Sequence, residues 1–116
     1  MVISQEDSLR RMFEQDGNAV EDVVLAWSGF YPFWDGNSNW GYFFTMRQCI
    51  VLREGRVEAW STQSGRPATK LVGSVIEDVY FGHLRAAMKY QRVHVARRSL
   101  WIRTADAQRI KSWGSL

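Results

Sequence analysis

The side chains of this 116-residue chain that can move a proton, attack a carbonyl or hold a metal are His83, His94, Cys49 and a few separated acids, chiefly Asp35 and the pair Glu77-Asp78. Their spacing fits none of those tasks. Neither histidine stands at metal-ligand distance along the sequence from the other or from Cys49, and no HExxH or CxxC pair occurs. There is no GxSxG elbow, no glycine-rich phosphate loop and no histidine-containing deaminase motif; Gly36, Gly41 and Gly55 are isolated turn glycines. Asp35, Glu77 and Asp78 are of the types that serve as general acid and base, but nothing pairs them. A single cysteine excludes an internal disulfide, and in a strand pattern Cys49 acts as a small hydrophobe. The expectation is a protein that is not an enzyme and carries no metal or cofactor.

What remains is recognition chemistry. Six tryptophans, Trp27, Trp34, Trp40, Trp60, Trp101 and Trp113, are many for one small domain, and each buried indole N–H needs an acceptor. The net charge of +3 conceals an asymmetry: residues 1–58 hold five Lys/Arg against nine Asp/Glu, and residues 59–116 hold ten against three. Arg85, Lys89, Arg92, Arg97, Arg98 and Arg103 fall on strands and turns that an antiparallel meander makes neighbours, so they are the candidate anionic-ligand residues. The alternative is a solvated sheet face balanced by the acidic N-terminal segment. Turn formers mix with large aromatics between Tyr31 and Asn39, and a loop that short cannot bury Tyr31, Phe33 and Trp34 together. Those three and Trp40 are the candidate partner-binding residues.

One domain, residues 1–116, must position them. Ser4 and Asp7 resemble a capping box, and Leu9, Met12 and Phe13 recur at helical spacing before Gly17, which predicts a helix over about 4–16. From Glu21 the period becomes two: Val23, Leu25 and Trp27 form one buried face of a strand, and Trp40, Tyr42 and Phe44 open another that runs to Leu52. Glu54-Gly55 predicts a hairpin onto Val57 and Ala59, Thr62 to Pro67 a turn, and Thr69 to Val75 a strand that Ile76 to Tyr80 extends. A long strand from about Ala87 to Arg97 changes parity near Gln91-Arg92, where a β-bulge is expected; Arg98-Ser99 then turns into Leu100 to Thr104. Asp106 is expected to cap a helix over about 106–113 whose Ile110 and Trp113 plug the sheet core. The fold class is therefore mainly β: a strongly bent antiparallel sheet or partly open barrel of about six to seven strands, flanked by two helices, over a β core of about residues 20–104.

The stretch Gly41 to Leu52, a glycine and apolar strand followed by Thr45, Arg47 and a second apolar strand, resembles the signature of bacterial pleckstrin-homology-like and GRAM-like domains. The preceding strand Glu21 to Trp27 is similar to theirs, and the likeness spans roughly residues 19–113. The resemblance implies a PH-like bent sheet with a C-terminal helix at one end, and a non-catalytic interaction module. A protein or peptide bound through the aromatic loop or a sheet edge is the first reading. Anionic membrane lipid is the second, since some relatives bind phosphoinositide headgroups; basic residues beside an apolar tip at Tyr31 to Trp34 suit it. A nucleic acid stacking on Tyr90 or Trp101 is the third, and a second copy of the chain is a further candidate partner. No apolar run approaches the roughly 18 residues that span a bilayer, and the N-terminus lacks signal-peptide regions, so the expected location is cytoplasmic, membrane-peripheral under the lipid reading.

Overall fold

Ser4 begins the first helix as its sequence leads one to expect: its hydroxyl accepts the Asp7 amide at 3.1 Å, and α1 spans Gln5–Gln15. The helix ends in a Schellman motif. Asn18 N–H reaches Phe13 O at 2.8 Å and Gly17 N–H reaches Glu14 O at 3.2 Å, with Gly17 at φ +79°, where a side chain would be strained. These coordinates belong to a computed structural model that describes residues 4–29, 45–82 and 89–114.

Seven strands follow among the described residues: β1 (Asp22–Gly29), β2 (Thr45–Arg53), β3 (Arg56–Gln63), β4 (Arg66–Val75), β5 (Tyr80–Phe81), β6 (Tyr90–Val95) and β7 (Arg98–Arg103). They form one antiparallel sheet in the order β4-β3-β2-β1-β7-β6-β5, which leaves β4 and β5 as its edges. The β2–β3 and β3–β4 turns have two residues each, Glu54-Gly55 and Ser64-Gly65, all at positive φ, the type I′ geometry whose twist matches the strands. Although β4 and β6 stand far apart in the strand order, they touch; the open sheet is therefore strongly bent. Its concave face buries Val24, Ile50, Val57, Val93, Leu100 and Ile102, covered by Ala107, Ile110 and Trp113 of the closing helix α2 (Thr104–Trp113). No helix among the described residues is long and apolar enough to cross a membrane.

Several local expectations change. β1 is buried on both faces from Val23 to Ala26, because α1 lays Leu9 and Phe13 over the convex side, on Val23, Leu25, Cys49 and Val51. The turn expected from Thr62 to Pro67 contracts to Ser64-Gly65. Ile76–Asp78 is a single 3₁₀ turn rather than strand. β6 pairs with β7 in unbroken register, so the parity change there is no bulge: Tyr90 lies on the convex face, edge-on to Trp27, while Val93 and Val95 face the core. The irregularity lies instead between β3 and β4, at Ala59 to Thr62. The last hairpin turns at Ala96-Arg97, so Arg98 and Ser99 already belong to β7. Asp106 does not cap α2; it lies in the first turn, and its carboxylate accepts from Arg103 Nε at 2.7 Å.

Candidate interaction surface

Helix α1 covers the convex face over β1 and β2, where Phe13 meets Trp60 edge-on at 5.0 Å. Beyond it, over β7, β6 and β5, alternation aims Trp101, Arg92, His94 and Tyr80 outward, because Leu100, Ile102, Val93 and Val95 take the concave side. The register aligns them into rows. Trp27 lies opposite Trp101, Trp101 opposite Arg92, and the Gly82 N–H donates to Arg92 O at 2.8 Å. Side chains directly opposite one another in a sheet interact. The Arg92 guanidinium sits 4.1 Å from the Trp101 ring centre, within cation–π range. The Trp101 indole N–H donates to the Gly29 carbonyl at 3.2 Å, holding the end of β1 from which residues 30–44 depart. A second row pairs Tyr80 with His94, their rings stacked 4.4 Å apart, and Tyr80 is 58% exposed.

Gly82 makes this close arrangement possible. A Cβ there would lie 3.0 Å from Arg92 Cβ, so a side chain at 82 would push the arginine off its seat.

Of the sequence-predicted residues, Tyr31, Phe33, Trp34, Trp40 and Arg85 lie outside the described residues. The other cations are spread over three places instead of one face. Arg92 stacks on Trp101. Arg97 and Arg98, at the β6–β7 turn, line a depression of about 390 Å³ with Val72 and Ser99. Lys89 and Arg103, at the opposite end of these strands, flank another of about 370 Å³. Arg103 is bound by acids, bridging Glu6 and Asp106. Beside it Arg109 takes Asp22 in a two-pronged pair, with Nε to Oδ2 at 2.8 Å, and reaches Glu6 at 3.1 Å; Trp113 Nε1 adds a bond to Asp22 at 2.9 Å. The acidic N-terminal segment thus neutralises one corner of the basic half. Burial opposes ionisation of Asp22, but its bonds from Arg109, Trp113 and the Val23 amide hold its carboxyl below the ordinary value.

Arg92, like Arg98, is partly buried and forms no ion pair with any described residue; what sets it apart is its contact with the Trp101 ring, and burial lowers its pKa. Between Val79 and Ala105 the sequence has six Lys/Arg and no acid. The Trp27, Tyr80, His94 and Gly82 parts of this surface were not singled out from sequence as binding residues. The alternation of Arg92 and His94 with Val93 and Val95 was readable, but the register that aligns the rows was not. Cys49 is fully buried under α1, and burial pushes its thiol up to about 12, which leaves it neutral. Among the described residues, no group of three or more potential ligands could hold a metal ion. Comparison with known proteins finds no matching family model, no matching curated protein and no matching solved structure.

Proposed function

We propose that this chain is a non-catalytic, PH-like interaction module that binds a protein partner through the convex face of β5, β6 and β7 and the aromatic segment joined to it at Gly29. The observation that carries the reading is the row Trp27, Trp101, Arg92, which runs from the edge of the cluster under α1 out over β7 and β6. Tryptophan, tyrosine and arginine are the residue types that dominate binding energy at protein interfaces, because they combine large rigid area with directed hydrogen bonds. A bent seven-stranded antiparallel sheet with a C-terminal helix across its concave face accords with the PH-like reading.

The test is affinity capture from extract by the immobilised chain, with two variants. Arg92→Ser is expected to keep the parent's unfolding midpoint and lose the captured protein, and Phe33→Ser with Trp34→Ser to do the same, at the roughly 2 kcal/mol or more typical of an aromatic or arginine anchor. Capture that is undiminished in both folded variants overturns the proposal.

A further inference from the structure

We propose that the partner segment received by this convex face is acidic, with the Arg92 guanidinium, stacked on Trp101, taking one of its carboxylates; the inference rests on the protein-binding reading above.

Two arginines at the acidic corner make the contrast. Arg103 and Arg109 each hold two carboxylates, from Glu6 and Asp106 and from Glu6 and Asp22. Arg92, also partly buried, holds none among the described residues, and its guanidinium carbon lies 4.1 Å from the Trp101 ring centre. A cation–π contact places no N–H donor in a charge pair, so the planar fork keeps donors for a two-pronged carboxylate while the ring restricts where the group can go. Such preorganisation lowers the ordering cost of binding. In sequence, residues 79–105 carry six cations and no anion, a bias of the matching sign, although Arg103 among them is neutralised by Glu6 and Asp106.

The same geometry disfavours a nucleic acid. Base stacking needs open ring faces. Arg92 already stacks on Trp101, and His94 on Tyr80, so each ring has given a face to an internal neighbour. An acidic chain needs only N–H donors of the guanidinium.

The experiment titrates the full chain with fluorescently labelled oligoglutamate, oligoglutamine and oligothymidylate, at low and at physiological salt. Oligoglutamate is expected to bind, more weakly as salt rises, and oligoglutamine not to bind. Arg92→Gln, and also Arg92→Lys, which keeps the charge but loses the planar fork, should each weaken oligoglutamate about tenfold, the scale of one charge-assisted bidentate contact. Gly82→Val should do so as well by displacing the untouched Arg92. Thermal unfolding checks that each variant is folded. Equal binding of oligoglutamine, no binding of oligoglutamate, or full affinity in Arg92→Lys each overturns the acidic partner, and partner capture lost in Arg92→Ser still upholds the protein-binding reading. Tighter binding of oligothymidylate than of oligoglutamate overturns the inference in favour of a nucleic-acid surface.

Discussion

Burial acts in opposite directions on two residues of the convex face. It raises the pKa of the Cys49 thiol to about 12 and so favours its neutral form, whereas Arg92 stays charged despite partial burial and keeps a demand for an anion. The first residue should be chemically silent. A disulfide-exchange reagent is expected to leave Cys49 unmodified in the native protein and to label it fully in denaturant; rapid native labelling would contradict its burial. Asp22 carries the clearest pH dependence. Its folded pKa is held below the ordinary 3.8, so it contributes stability that is fully present above the unfolded value and is lost as pH falls through the folded value. Asp22→Asn should lower stability by about 1–3 kcal/mol at neutral pH, since the neutral amide loses the charge and leaves one acceptor oxygen for the donors of Val23, Arg109 and Trp113 that two now serve. It should also flatten the part of the acid limb below about pH 4. An unaltered acid limb would remove Asp22 from the account.

At the scale of elements, α2 depends on the sheet more than on its own ends. It has no side-chain cap at its N-terminus, yet Ala107, Ile110 and Trp113 are almost wholly buried against the concave face. Truncation after Thr104 is therefore expected to cost several kcal/mol, at about 1.5–3 kcal/mol for each large side chain returned to water. An unchanged thermal midpoint would show the helix to be a mere tail. Ile110 and Trp113 were legible in the sequence, as were the two helices, the Glu54-Gly55 turn and most strands, because each rests on a local period or on glycine at positive φ. Other features depended on distant chain. The double burial of β1 needs α1 overhead, and the outward Tyr90 needs Trp27 beside it, so the one-faced strand and the bulge were misread. The candidate surface was half legible: composition pointed to tryptophans and arginines, but which arginines meet acids is a matter of register and of where Glu6 arrives.

The molecule as a whole is one sheet with a core on each face, and β1 and β2 belong to both: Val24, Ala26, Ile50 and Leu52 point to one, Val23, Leu25, Cys49 and Val51 to the other. Sharing strands couples the cores, while α1 touches only the convex one and is held further by the ion pairs of Glu6. Removing α1 should thus strip the convex core and spare the concave one. Deletion of residues 1–17 is expected to lower stability by several kcal/mol, since Leu9 and Phe13 each contribute about 1.5–3 kcal/mol of burial. It should also open Cys49 to a thiol reagent without denaturant, because Val23, Leu25 and Val51 alone cannot shield a side chain on an open strand face. The milder pair Leu9→Ala with Phe13→Ala should raise the labelling rate in the same direction. In either variant, hydrogen exchange at Val93, Leu100 and Ile102 should stay slow, as these amides belong to strands packed on the concave side. Loss of that protection together with Cys49 exposure would mean that the two cores fold only as one unit; continued protection of Cys49 without α1 would mean that the helix does not seal the convex face at all.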